Sequence, residues 1–234
     1  MSKSTYNITR FKSGEAENND EIISDIQITY GFTETKFGEC LVGLKGKENT
    51  ICFLSFMGPN YPGIDGLKRI FPKAALTMNN NLIANKLKQL FEESVKGGHI
   101  ELLLKGTDFE IRVWEHLVKL KRGSTTTYEE VAKDIGHPNA VRAVANAIGK
   151  NNISYFVPCH RVIAKRKGII GGYKWGVQRK KQMLQDEEKA AKQTILDKFW
   201  KKKKTASDQP AIDKSKTVSD EQAIEKSKTE EIQH

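Results

Sequence analysis

A chain of 234 residues, 38% hydrophobic and 29% charged, is long enough for one large domain or two small ones around a real core. Its formal net charge of +10 favours an anionic partner such as nucleic acid, although a basic surface also serves solubility. No apolar run approaches the roughly 18 residues of a membrane span, the start lacks a secretory apolar core, and three cysteines, an odd number, argue against a disulfide framework.

Residues 1–22 are polar and read as a disordered N-terminus. Three runs rich in β-branched and aromatic residues follow at 25–32, 38–46 and 50–58, punctuated by Gly, as expected of an antiparallel meander. Cys40 and Cys52 fall inside the second and third runs and read as small buried hydrophobes. A helix is expected over 82–96, where Leu82, Ile83, Leu87, Leu90 and Phe91 share a face, and HIELLL (99–104) reads as a further strand. Near Lys105 the texture changes, which divides the globular part into a 23–105 subdomain and a mostly helical 106–190 domain.

The second part opens with a helix over 108–121, capped by Thr107 or Asp108, with Phe109, Val113, Trp114, Leu117 and Leu120 as its buried stripe. TTYEEVAKDIG (126–136) carries a capping-box signature in Thr127 and Glu130, and NAVRAVANAIG (139–149) is another helix. Two short helices joined by the tight turn at 137–139 predict a helix-turn-helix. In the second of them Val141, Val144, Ala145 and Ile148 are expected to pack inward, and Ala140, Ala143 and Ala147 form a small-residue face. A loop follows with VPCHRV (157–162), and a last helix is expected over 177–188. Residues 191–234 hold an imperfect repeat, SDQPAIDKSKT (207–217) against SDEQAIEKSKT (219–229), and read as a disordered Lys-rich tail. The segment 105–187 has 16 Lys/Arg and 8 Asp/Glu, a net of +8, so positive charge sits with the helix-turn-helix, where a DNA-binding reading needs it.

The sharpest chemical signal is Cys159 with His160 and Arg161 beside it and Pro158 before it. That setting favours thiolate, but a buried structural Cys beside a surface His fits the hexapeptide equally well. On extended backbone the two side chains would point to opposite faces, so a bridging water is the natural link between them.

The ordered blocks FEIRVW, TTYEEVA, NAVRAVANAIGKN, VPCHRV, GGYKWG and KKQMLQDE resemble the O6-alkylguanine-DNA alkyltransferase family, strongly over 106–187 and more weakly over 25–105. The resemblance implies an α+β fold: a ribonuclease H-like antiparallel-sheet subdomain followed by a winged helix-turn-helix-like subdomain. It implies DNA repair by irreversible transfer of the alkyl group from O6 of a flipped guanine to the protein itself, with O4-methylthymine a further possible substrate. By the same resemblance Cys159 is the acceptor, His160 its base through a water, Glu187 the carboxylate that orients His160, and Asn151 the brace beside the acceptor. Tyr128 donates to the guanine, Arg142 fills the space the nucleotide vacates, and Ala140 and Ala143 allow close approach to the groove. Tyr173 and Lys174 lie in the loop over the base; Lys174 stands where the family often has a small residue, and Trp175 narrows the pocket.

No cofactor and no metal are expected, since His99, His116 and His137 show no ligand spacing with Cys40 or Cys52. The implied partner is double-stranded DNA carrying O6-alkylguanine, met by a monomer inside the cell, in the cytoplasm of a bacterium or the nucleus of a eukaryote, with no membrane. A lesion binder without transfer, a helix-turn-helix regulator and a cysteine hydrolase are the competing readings; the intact Cys159, His160, Asn151 and Glu187 set weighs against the first two, and the third lacks any sign of an oxyanion hole.

Overall fold

The computed structural model describes residues 5–12, 26–47, 49–58, 63–166 and 170–207. The chain divides into two compact units, Met1–Lys192 and Gln193–His234, and the sheet and all candidate site residues lie in the first. In chain order the strands are β1 (Thr5–Lys12), β2 (Gln27–Thr33), β3 (Cys40–Lys45), β4 (Thr50–Phe56), β5 (Ala75–Met78), β6 (His99–Gly106), β7 (Thr126–Thr127) and β8 (Val162–Ile163). The α-helices are α1 (Gly63–Ile70), α2 (Asn80–Lys96), α3 (Asp108–Val118), α4 (Tyr128–Asp134), α5 (Val141–Gly149) and α6 (Val177–Ser207).

The fold is α+β, built on a six-stranded sheet in the order β1-β6-β4-β3-β2-β5. The sheet is mixed, which corrects the expectation of an antiparallel one. Strands β2, β3 and β4 do form the antiparallel meander. However, β5 joins β2, and β6 joins both β4 and β1, in parallel. The reason is connectivity: β5 and β6 each follow a helix, and a crossover through a helix returns the chain in the same direction.

The N-terminal stretch was expected to be disordered, and for Thr5–Lys12 that is corrected. TYNITRFK pairs with β6 residue for residue from Thr5↔His99 to Lys12↔Gly106, and the Arg10 guanidinium grips the Glu115 carboxylate on α3 through two nitrogens. The rest of 1–22 lies outside the described residues. At the other end, α6 runs to Ser207, so the reading of a short helix followed by disorder is corrected over 191–207. This stretch holds no Gly or Pro and is rich in Lys, and the i,i+4 pair Lys192–Glu188 joins its start to the preceding turn. The repeat beyond Ser207 lies outside the described residues.

Strand alternation sorts β6 between two cores: Leu102 and Leu104 join one cluster and Leu103 the other. The smaller core sits with α1, around Leu41, Phe53, Leu67 and Phe71. The larger runs without a break from Val42, Leu54 and Ile83 to Trp114, Val144, Phe156, Cys159 and Met183. The change of texture near Lys105 is therefore a change of secondary structure inside one packed unit. Both capping boxes form, at Thr107/Glu110 and Thr127/Glu130, and fix where α3 and α4 begin.

Because β1 covers β6 over eight paired residues, deleting residues 1–12 should lower stability by roughly 2 kcal/mol or more, a fall of about 5 °C in the thermal midpoint. Calorimetry of the truncated and full chains measures this directly; an unchanged midpoint would mean that β1 adds nothing to the folded unit.

Candidate active site

Cys159 begins a 3-10 turn, Cys159–Arg161, and not the extended stretch the sequence suggests. Pro158 sets the entry, and Arg161 N donates to Pro158 O at 3.0 Å. Just upstream Tyr155 holds a left-handed conformation, φ 70°, that a large side chain avoids. Its surroundings hold it there: the ring packs edge-on against Phe91 at 4.4 Å and stacks on His160 at 6.2 Å, and its hydroxyl accepts from Arg122.

Asn151, which follows α5, is buried and uses both ends of its amide. Ile153 N donates to Oδ1 at 2.9 Å, while Nδ2 donates to Val157 O at 2.8 Å and to Cys159 Sγ at 3.1 Å. One side chain thus fixes the turn before the cysteine and touches the sulfur itself.

His160 and Glu187 are both fully buried. His160 Nε2 lies 3.0 Å from Glu187 Oε1. Arg161 donates to the same carboxylate through Nε to Oε2 at 3.0 Å and Nη2 to Oε1 at 2.9 Å, and Gly123 N donates to Oε2 at 3.0 Å. Burial alone would raise Glu187, but hydrogen bonds from His160 and Arg161, with the permanent charge of the guanidinium, hold it well below the usual carboxylate range. For His160 burial dominates and lowers the imidazole, against the pull of Glu187, so the ring is neutral at neutral pH. Neutral imidazole beside a carboxylate carries its proton on Nε2, which leaves Nδ1 as an acceptor; Nδ1 is buried and has no hydrogen-bond partner among the described residues.

The thiol of Cys159 is raised, because burial outweighs the Asn151 hydrogen bond and the charges of Lys180 and Lys174. This corrects the sequence expectation of a thiolate-favouring neighbourhood. Arg161, two residues on, is committed to Glu187, and the positive charge comes from Lys174 in the loop and Lys180 on α6 instead. Cys40 and Cys52 are pushed up to about 12 by burial and donate to backbone carbonyls. No cluster suited to a metal ion occurs among the described residues.

Three further elements close around the sulfur. Tyr128, the first residue of α4, is half-buried, and burial followed by the nearby Cys159 raises its phenol. Tyr173 shares a hydrogen bond with Ser154 Oγ at 2.9 Å, and its phenol is raised by burial and then by Cys159. Lys174 Nζ donates to Asn151 O at 3.2 Å and sits over the Trp175 ring, whose Nε1 donates to Ser55 Oγ on β4 at 2.9 Å. Sequence reasoning missed Lys180, which is fully buried and donates to Val162 O at 2.6 Å and Gly172 O at 3.3 Å. It also missed Arg161 as the partner of Glu187. Lys180 had a signal: with Met183 and Glu187 it makes a buried i, i+3, i+7 stripe on α6.

The structure thus brings together Cys159, Asn151, His160, Glu187, Tyr128, Tyr173 and Lys174. It does not bring Arg142, Ala140 or Ala143 to the sulfur. Arg142 and Ala143 are exposed on α5 and Ala140 caps it half-buried. The predicted small-residue face is corrected at Ala147, which is buried and accepts from Trp114 Nε1 at 2.8 Å. Val141 and Ala145, expected to pack inward, are only partly buried.

Residues 108–189 match the family described as 6-O-methylguanine DNA methyltransferase, DNA binding domain. The methylated-DNA–protein-cysteine methyltransferase of Kluyveromyces lactis is 31% identical over 185 residues, which cover 69% of this chain and 97% of that one. The regulatory protein Ada of Salmonella typhimurium is 34% identical over 167 residues, 70% of this chain; the match spans only 46% of that longer relative. Among solved structures, the Mycobacterium tuberculosis protein OGT in complex with DNA superposes with a TM-score of 0.55 at 29% identity, covering 69% of this chain and 94% of that one.

The His160–Glu187 pair makes stability depend on pH in a defined direction. Both groups sit below their unfolded values, so their contribution is complete above about pH 6.5 and declines as pH falls. The His160 share goes first, below about 6.5, and the Glu187 share only below about 4.3. Chemical denaturation from pH 8 to 4 should show stability dropping from near 6.5 downward, and His160→Phe should flatten the first part of that slope. An unchanged slope would place the titrating group elsewhere.

Proposed function

The chain belongs to the O6-alkylguanine-DNA alkyltransferase family, and on that premise we propose that it repairs DNA by moving the alkyl group from O6 of a damaged guanine onto its own Cys159. The observation that carries this reading is the sulfur itself, held by Asn151 Nδ2 at 3.1 Å beside a neutral, carboxylate-bound His160.

Each residue then has a physical task. Displacement at the alkyl carbon needs thiolate, and the raised Cys159 thiol does not ionise unaided at neutral pH. His160 Nδ1 is the acceptor for its proton, through one bridging water, and Glu187 stabilises the imidazolium that results. Asn151 donates to the sulfur and so favours the charged form. As the C–O6 bond breaks, charge builds on the purine, and the raised Tyr128 phenol remains a proton-bearing donor that can neutralise it. A lesion inside the stack is out of reach, so the nucleotide is extruded; exposed Arg142 fills the gap while Ala140 and Ala143 let α5 approach the groove. The thioether has no hydrolytic route back, and each chain acts once.

Residues 106–190 carry DNA binding and chemistry in this reading, and 23–105 form the scaffold. The description of the first part as ribonuclease H-like is supported by the meander with β5 parallel to its first strand. That of the second as winged helix-turn-helix-like is supported by α4, α5 and the β7–β8 pair. In this reading no cofactor takes part and the protein acts as a monomer on double-stranded DNA within the cell, with O4-methylthymine a further candidate substrate. Among the described residues no helix is long and apolar enough to cross a membrane.

Incubation with duplex DNA carrying radiolabelled O6-methylguanine should put one label per chain on Cys159. Cys159→Ala should remove the label and keep DNA affinity within about twofold, because the buried sulfur contacts no phosphate. Label on Cys40 or Cys52 would sink the assignment. Arg142→Ala should slow repair in duplex DNA by roughly 10- to 100-fold, the scale of a few kcal/mol of extrusion cost, and leave the reaction with free O6-methylguanine base nearly unchanged. Equal losses on both substrates would show that Arg142 supports the fold and not the extruded state.

A further inference from the structure

Resting on the alkyltransferase reading, the geometry points to a preference in the transferred group: the site favours alkyl groups that carry a carboxylate, and Lys174 is the residue that selects them. The basis is the arrangement of charge around the sulfur. Lys174 Nζ donates to the backbone oxygen of Asn151 at 3.2 Å, and the same Asn151 touches Cys159 Sγ through Nδ2 at 3.1 Å. Lys180 lies on another side of the site, buried, with Nζ on Val162 O and Gly172 O. Those two ammonium groups are the charges that act most on Cys159. The nearest carboxylate of the site does not balance them, because both oxygens of Glu187 are engaged by His160, Arg161 and Gly123.

The two lysines differ in what they can still offer. An ammonium has three donors, and among the described residues Lys180 directs two of them at backbone carbonyls, whereas Lys174 directs one. Lys174 otherwise rests over the Trp175 ring at 5.1 Å, on a flexible stem that can turn toward a ligand. Burial draws its ammonium down from the usual range, Cys159 pulls it up, and the charge of Arg69 draws it down again. A methyl group gains nothing from such a neighbour, and a bulky neutral group must lie against an ammonium it cannot pair with. In a carboxymethyl group the carboxylate carbon lies two bonds from O6, and an anion held beside the sulfur can take a charge-assisted hydrogen bond from Lys174 when its stem turns.

The chemistry balances as it does for methyl. Cys159 Sγ bonds to the CH2 carbon while the CH2–O6 bond breaks, and that electron pair passes to O6. The purine takes up a proton and remains in the DNA as guanine, the thiol proton resides on His160, and the product is S-carboxymethylcysteine.

The test compares two isosteric lesions in otherwise identical duplexes, O6-carboxymethylguanine and its neutral amide, O6-carbamoylmethylguanine. Single-turnover rates with the full chain are each divided by the rate of the same nucleoside with 2-mercaptoethanol. The normalised acid-to-amide ratio should be about tenfold or more in the natural protein, should fall toward about one in Lys174→Gln, and should persist in Lys174→Arg. A ratio of one or less in the natural protein overturns the proposal, as does the same high ratio in Lys174→Gln. If Lys174→Gln does not fold, Lys174→Met takes its place in the same comparison. An O6-methylguanine duplex in the same series keeps the failures apart. Absence of methyl transfer defeats the alkyltransferase reading itself, whereas methyl transfer with a ratio of one defeats only the role of Lys174.

Discussion

Glu187 is 1% exposed, and a carboxylate so deeply buried would cost several kcal/mol if it stood alone. Four hydrogen bonds meet it: two from the Arg161 fork, one from His160 and one from the backbone of Gly123. Arg161 Nη1 then reaches on to Leu120 O. The result is a knot that ties α6 to the Cys159–Arg161 turn and to the loop after α3. The tautomer of His160, the position of the turn and hence the direction of the sulfur all follow from where this one carboxylate sits. Removing any donor leaves a buried charge short of a partner, so the knot is rigid for the same reason that it is costly.

Burial and reactivity pull in opposite directions at Cys159. A close-packed surrounding orients the sulfur and excludes competing nucleophiles, yet the same burial raises the thiol and keeps it protonated. The structure resolves the conflict by separating the tasks. Asn151 and the two lysines favour the anion through space, and His160 supplies a nearby base without placing a full charge beside the sulfur at rest. A more exposed cysteine would ionise more readily and would also react with whatever alkylating agent diffused past.

How much of this was legible in the sequence depended on the range of the interaction. The capping boxes at Thr107 and Thr127 are four-residue signals, and both helices begin where those signals put them. The meander was visible because Cys40–Lys45 and Thr50–Phe56 are mostly apolar and set off by Gly-containing turns. β1 was invisible: its stability lies in pairing with β6, more than ninety residues on, and nothing in TYNITRFK says so. The same holds for the parallel placing of β5 and β6. At the site, PCHRV stood out as a string, but Asn151, Tyr128 and Glu187 drew attention only through resemblance to a family. Arg161 was misjudged for a physical reason: sequence adjacency suggested that its charge serves Cys159, whereas its fork matches a carboxylate 26 residues away. Lys180 was passed over because a lysine in a run of lysines looks solvated; only its spacing to Met183 and Glu187 marks it as inward-facing.

The loop that covers the sulfur has its fastenings elsewhere in the chain. Trp175 hangs from Ser55, and Arg179, one turn into α6, reaches back to the backbone oxygens of Phe37 and Met57 while its guanidinium lies over Phe56. None of these anchor points lies within 108–189, the stretch recognisable as a family domain. The stretch that matches the family's DNA-binding domain and the stretch that supports it mechanically therefore differ. The matched domain holds the reacting groups, but the side chains that fasten the Tyr173–Trp175 loop to the rest of the molecule reach outside it.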